Sequence, residues 1–371
     1  MARTGRRPGA GGARGPVWAI TVKELREVRR DRRTLAMMIV LPVLLLVVFG
    51  YAASFDVSRI RAVVTGPAAA QVARRLPPAF SPVEVRPAQG RADAVRTLRH
   101  GAAVVAVVTG PSPAVLVDGS KLFEARAVVT GLGRAGGLPA PEVLFNPGLK
   151  TSTVMVPAIM GIILVFVGTM TTSLGVVRER QTGTLEQLAV MPFRPRDVFV
   201  GKVAPYFLVA CLDTAVVLAA GRLLFGVPFR GSPLTFLVGA LLFLFVTLGL
   251  GVLVSSVSEN QGQAIQLAIM TMLPQVLLSG LIFPIPAMAA GVRWIAYLLP
   301  LTYFNEIARG VLVRGAPAGS LWFPLLMLAV LGAAAFGLSV ARFRRDLAPE
   351  RHERRGTGPD PRTAHEPGTA R

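Results

Sequence analysis

Six apolar runs, each long enough to cross a lipid bilayer, constrain this chain more than any other feature: residues 35–54, 153–177, 203–227, 233–257, 262–283 and 321–341. A hydrocarbon core of about 30 Å is crossed by roughly 20 residues at a rise of about 1.5 Å each. No water reaches the backbone there, so each run must satisfy its own amides as a helix. The composition agrees, because the 371 residues are 52% hydrophobic and only 16% charged, against about 25% charged in soluble domains. The expected fold is an α-helical polytopic membrane protein with six transmembrane helices.

Charge sets the expected orientation. An even number of spans puts both termini on one side. Arg3, Arg6, Arg7, Arg14, Lys23, Arg26, Arg29, Arg30, Arg32 and Arg33 precede the first run, and Arg342, Arg344 and Arg345 follow the last. The positive-inside rule therefore places both termini in the cytoplasm. The segment 178–202, with Arg178, Arg180, Arg194, Arg196 and Lys202, falls on the same side. Two details oppose this pattern: the short loop 255–261 has no Lys or Arg, and the outer region 284–320 holds Arg293, Arg309 and Arg314. The net charge of +20 does not indicate nucleic acid, since the basic residues form no single patch with interleaved aromatics. The first run exceeds the about 7–15 residues of a signal-peptide core, so it is expected to stay as an anchor. Cys211, the single cysteine, excludes an intrachain disulfide.

The remaining segments divide by composition. Residues 1–16 and 342–371 are polar and rich in Arg, Gly and Pro, and are expected to be disordered. Residues 17–33 place Val17, Ile20, Leu25 and Val28 near one face of an amphipathic helix suited to the inner leaflet. Between residues 55 and 152 the short runs RAVVT, PVEVR, AAVVAVVT and AVLVDG alternate with helical stretches near 68–76, 92–99 and 122–131. That pattern predicts a small external α/β domain. Asp118, at the end of one strand, is expected to cap a turn; no His or carboxylate cluster accompanies it to bind a metal. Gly161, Gly168 and Gly175 recur every seven residues in the second run and predict a helix face that another backbone can approach closely. The segment 284–320 is too interrupted to cross the membrane. It predicts a re-entrant hairpin of two short pieces, about 287–299 and 303–313, with Trp294, Tyr297, Tyr303 and Phe304 suited to the interface.

Catalytic signatures are sparse. The histidines are His100, His352 and His365, and HERRG at His352 lacks the second histidine of a zinc-protease helix. Gly201–Lys202 is followed by Val203, and Arg196 stands where the first P-loop glycine would be, so any nucleotide must be bound by another subunit. Asp213, inside the third run, reads equally as a polar point on a solute path or as an interhelical hydrogen bond. Glu306 and Arg309 are spaced to pair on one helix face. In VRERQTGTLEQLAVMPFRPRDVFVGK, residues 177–202, Thr184 and Gln187 make a capping box that starts a helix at Leu185, and Pro192 and Pro195 end it within two turns. Such a helix offers Leu185, Leu188 and Met191 beside Glu179, Arg180, Glu186 and Arg194, a pattern that predicts a docking site for a soluble partner.

These segments resemble the permease subunits of ABC-2 type transporters, in the multidrug-efflux-like branch with a large external domain between the first two spans. The resemblance covers nearly the whole chain apart from the tails. It is most specific in RERQTGTLEQLAVMPFRPRDVFVGK, SSVSENQGQA, SGLIFPI and LLPLTYFNEIARGVL. It implies a coupling helix at 183–191 seated in a groove of an ATPase, with Glu179, Gly183, Thr184, Leu185, Glu186, Gln187 and Leu188 as the contact set. It also implies a connecting helix at 17–33 and a re-entrant outer gate at 284–313. Asp213, Pro300, Tyr303 and Glu306 are the candidates for the translocation path or gate. Glu259 stands where the family often has a basic residue. The resemblance further implies no cofactor on this chain, ATP and Mg on a cytosolic ABC ATPase, and a second permease, identical or sister. It implies residence in the inner or plasma membrane and outward export of drugs or other lipophilic compounds. Export of a lipid or glycan precursor is the alternative cargo. A membrane-anchored sensor with an external ligand-binding domain is the alternative class, although no signalling module follows the last span.

Overall fold

The computed structural model describes residues 60–135, 138–182 and 195–346. The expected connecting helix, the first apolar run, residues 183–194 and the tail beyond 346 lie outside the described residues.

The first described part is an α/β domain in the order β1 (Ile60–Thr65), α1 (Ala69–Arg75), β2 (Phe80–Arg86), α2 (Arg91–Arg99), β3 (Val105–Val108), β4 (Ala114–Asp118), α3 (Leu122–Ala135) and β5 (Pro141–Leu144). The sheet order is β2-β1-β3-β4-β5. Pairing is parallel except between β3 and β4, which run antiparallel. The inner strands are nearly all Val and Ala because both sheet faces are covered. Ala62, Val64, Val105 and Val117 pack with Ala125 and Val128 of α3 on one face. Val63, Ala106 and Leu116 pack with Ala94 and Leu98 of α2 on the other. Strands β1 to β4 and the three helices fall where the alternation of short apolar runs places them. Strand β5 does not: its four residues are only half-buried to exposed, so it carries no apolar run to detect.

The rest is helical: α4 (Thr151–Gln181), α5 (Pro195–Phe225), α6 (Pro233–Val257), α7 (Gln261–Leu278), α8 (Ala290–Ala296), α9 (Pro300–Ala308) and α10 (Trp322–Asp346). A π-helical turn, Arg309–Arg314, continues α9. Among the described residues four stretches are long and apolar enough to cross a membrane: Thr151–Gln181, Ala204–Phe225, Pro233–Val257 and Trp322–Arg342. Helix α7 is not one of them. It carries Gln261, Gln263, Gln266 and Gln275, and it ends at Leu278 rather than running to residue 283. Gly280, at φ +78°, turns the chain out of the helical path just beyond it.

Helix α4 is the axis of the bundle, packing against α5, α6, α7 and α9, while α10 packs along α6. Between helices in lipid there is little hydrophobic drive, so close van der Waals contact and interhelical hydrogen bonds decide the packing. The glycine row provides that contact. A Cβ at Gly161 would lie 2.6 Å from Leu301 of α9, and one at Gly168 would lie 2.5 Å from the Thr247 hydroxyl of α6. At Gly175 the neighbour is Tyr206 of α5. Thr169 donates to the Thr247 carbonyl at 3.3 Å, and Ser339 of α10 donates to the Gly249 carbonyl at 2.9 Å.

Candidate functional site

The hairpin α8–α9 sits at the end of the bundle that carries the α/β domain. Pro300 opens α9 at its first turn, where a missing N–H costs no hydrogen bond. Short polar links close the hairpin: Thr302 donates to the Ala296 carbonyl at 2.6 Å, and Tyr303 to the Tyr297 carbonyl at 2.6 Å. The Asn305 amide donates to the Ser279 hydroxyl at 3.2 Å, fixing α9 to the end of α7. Arg293 donates to the carbonyls of Pro286 and Met288.

Of the four aromatics expected at the interface, Trp294 and Tyr297 are 59% and 49% exposed, but Tyr303 and Phe304 are 3% and 0% exposed. The reason is the neighbouring glycine face. Gly161 leaves room for Phe304, which stacks on Phe243 of α6 with ring centroids 4.3 Å apart and 14° between planes. The Glu306–Arg309 pair expected from spacing is not formed among the described residues. Arg309 Nε donates instead to the Asn305 carbonyl at 3.3 Å, and Glu306 is exposed.

Two arginines join the α/β domain to the hairpin. Arg314, on the π turn, places Nη1 3.7 Å from Asp118 Oδ2, and both side chains are buried. Asp118 also caps its turn, Oδ1 accepting from the Ser120 N–H at 2.9 Å. Arg230, between α5 and α6, donates to the carbonyls of Phe145 at 2.9 Å and Val313 at 3.2 Å. Between domain and hairpin lies a cavity of about 490 Å³, lined among others by Arg61, Lys121, Glu124, Glu306, Arg309 and Arg314. Burial pushes the Lys121 ammonium down to about 8; the nearby Arg61 and Arg314 add to this and Glu124 opposes it.

At the opposite end, α4 is capped by Thr182, whose hydroxyl donates to the Arg178 and Glu179 carbonyls. Arg180 donates to the Ser255 carbonyl at 3.3 Å and the Ser258 carbonyl at 3.2 Å, and Gln261 donates to the Gln181 side chain at 3.1 Å. The loop after α6, which has no Lys or Arg of its own, thus receives its cation from α4. Glu179 lies in the last turns of α4, while Gly183, Thr184, Leu185, Glu186, Gln187 and Leu188 lie outside the described residues. Asp213 is partly buried on α5, and its Oδ2 has no hydrogen-bond partner among the described residues. The structure therefore does not bring it together with Pro300, Tyr303 and Glu306 through any hydrogen bond.

Sequence reasoning missed the structural roles of Arg180, Arg230 and Arg314. A signal for Arg314 existed, since in the topology expected from the sequence it falls among the segments that should be poor in Lys and Arg, and so needs another reason to be there.

A bundle of apolar helices organised on one glycine-lined helix, with an α/β domain docked at one end, defines a multi-pass membrane protein. Residues 137–341 match the ABC-2 family transporter proteins, and the chain belongs to that family. It is 28% identical over 365 residues to the probable multidrug ABC transporter permease YbhR of Escherichia coli K12, covering 89% of this chain and 99% of that one. It is also 28% identical over 367 residues to the probable multidrug ABC transporter permease YbhS of the same organism, covering 89% and 97%. The inner membrane transport permease YhhJ of Escherichia coli K12 is 32% identical over 212 residues, 55% of this chain and 54% of that one.

Proposed function

We propose that this chain is the permease subunit of an ATP-driven exporter of the ABC-2 type, moving drugs or other lipophilic solutes outward with energy from a separate ATPase. One observation carries the reading beyond family membership: α4 and α5, each of 31 residues, flank residues 183–194. At about 1.5 Å per residue each helix is near 46 Å long, well beyond a hydrocarbon core of about 30 Å. Helices of that length reach beyond the hydrocarbon core, so in this reading the segment 183–194 joins them on the cytoplasmic side. It is suited to dock in a groove of a cytosolic ABC ATPase through Glu179 and the 183–188 set. Movement there reaches α6 directly through the Arg180 contacts with Ser255 and Ser258.

In this reading the chain has six spans with both termini in the cytoplasm of a cell bounded by the inner or plasma membrane. ATP and Mg stay on the partner, and a second permease, identical or sister, completes the path. Asp213 supplies a polar point on that path, and the hairpin around Pro300, Tyr303 and Glu306 forms its outer gate. The test is copurification with the ATPase together with solute efflux from cells. Glu186→Arg is expected to abolish both. Intact ATPase binding and efflux in that variant would refute the coupling assignment.

A further inference from the structure

We propose that the cavity between the α/β domain and the hairpin binds organic anions with an apolar tail, the anionic group against Arg61, Lys121 and Arg314 and the tail against Tyr297 and Phe323. A volume of about 490 Å³ is within the range of roughly 300–1,000 Å³ that holds small ligands. Its lining carries more cations than carboxylates: Arg61, Lys121, Arg309 and Arg314 stand against Glu124 and Glu306, with Asp118 behind Arg314 at 3.7 Å as the third carboxylate. Two buried donors on its wall have no partner among the described residues: the Ser120 hydroxyl, 0% exposed, and Arg314 Nε, on a side chain 4% exposed. Such groups are costly to leave unmade, and the oxygens of a phosphate or carboxylate would satisfy them. The Arg314–Asp118 separation of 3.7 Å exceeds hydrogen-bond distance, so the guanidinium keeps donors for a second anion. Ser120 and Lys121 also lead directly into α3, a 14-residue helix whose positive end adds to the attraction.

Lys121 gives the site a pH signature. The groups that face it are Arg61 from β1, Asp118 from β4, Glu124 from α3 and Arg314 from the π turn, and its own value is lowered to about 8. A bound anion stabilises the ammonium form, so binding takes up a proton near that pH and weakens above it.

The binding claim itself does not depend on transport; only the assignment of the cavity to the outer face rests on the permease reading. The purified full chain in phosphatidylcholine nanodiscs is titrated calorimetrically with hexyl phosphate, with inorganic phosphate and hexanol as controls. Hexyl phosphate is expected to bind saturably and more tightly than either control. Lys121→Gln and Arg61→Gln are each expected to weaken it about tenfold, as for a lost charge-assisted hydrogen bond. Raising the pH from about 7.5 to 9.5 should weaken wild-type binding several-fold, but not binding to Lys121→Gln. Competition by added phosphatidylglycerol identifies a lipid headgroup as the natural source of the anion, and lack of competition a soluble amphiphile. Equal affinities for wild type and both variants, each shown to be folded by its thermal transition, would overturn the proposal. So would inorganic phosphate or hexanol binding as tightly as hexyl phosphate. ATPase copurification, measured separately, reports on the permease reading whatever this titration gives.

Discussion

Arg314 Nη1 lies 3.7 Å from Asp118 Oδ2, and this buried ion pair ties the end of strand β4 to the π turn that follows α9. Gly101 makes room for it at φ +75°, where a Cβ would come 2.6 Å from the same guanidinium nitrogen. The α/β domain and the hairpin cannot move apart without breaking this contact.

Asp118→Ala should therefore destabilise the protein by about 3 kcal/mol, the lower end for breaking a buried pair, because the contact is longer than a hydrogen bond. Thermal unfolding in detergent would show a lowered transition and earlier proteolysis of the α/β domain. Asp118→Ala combined with Arg314→Met should recover part of the loss, since no charge is then left buried alone. Additive losses in the double variant would contradict the pairing.

The glycine row makes a second expectation specific to position. Gly168→Ala should cost roughly 1–3 kcal/mol, because its Cβ would meet the Thr247 hydroxyl at 2.5 Å. Gly131→Ala, on α3 with nothing within 4 Å of the new Cβ, should instead stabilise by about 0.4–1 kcal/mol. Opposite shifts in the unfolding transition of the two variants are the measurement.

Arg180 spans from α4 to the end of α6 through the Ser255 and Ser258 carbonyls. Arg180→Ala should cost roughly 1.5–3 kcal/mol, as for hydrogen bonds to a charged group. Arg180→Lys should recover only part of this, because an ammonium cannot present the same planar fork to two carbonyls. Hydrogen exchange at the loop after α6 should accelerate in the alanine variant, and unchanged protection there would count against the contact.

Lys121 predicts a dependence of stability on pH. Its value in the folded chain, about 8, lies below the roughly 10.4 of a free lysine. Between those two values the unfolded chain holds a proton that the folded chain lacks, so stability rises as pH increases through this window. Below about 8 the cost of the buried ammonium is fully present. Lys121→Met should thus be more stable than wild type at pH 7, with the advantage shrinking towards pH 10.5. A constant difference in melting temperature across that range would refute the assignment.

Much of the fold is legible locally. Valine-rich runs of four to six residues mark β1, β3 and β4 because both sheet faces are buried. The apolar runs mark α4, α5, α6 and α10, and the spacing of Gly161, Gly168 and Gly175 marks the packing face of α4. Less legible is where a helix stops. Helix α7 ends at Leu278 although apolar residues continue to Phe283, because Gly280 takes a left-handed conformation there. Of the candidate gate, Pro300 and the hairpin itself could be read from the interruption of the apolar pattern. The burial of Tyr303 and Phe304 could not, because an aromatic near a membrane end fits either the interface or the core.

The sequence by itself determined that the runs 153–177, 203–227, 233–257 and 321–341 are helices suited to lipid and that β1 to β4 form a small sheet, since both follow from hydropathy over one element and from backbone groups satisfied within it or by its neighbours. Only the tertiary structure decided what the charges do. Arg314 finds Asp118, Arg230 finds the carbonyls of Phe145 and Val313, and Arg180 finds the end of α6. Each pairing joins residues distant in the chain. A charge, whether buried as in Arg314 or exposed as in Arg230, takes whichever partner the fold brings within a few ångströms, and no local pattern of residues encodes that.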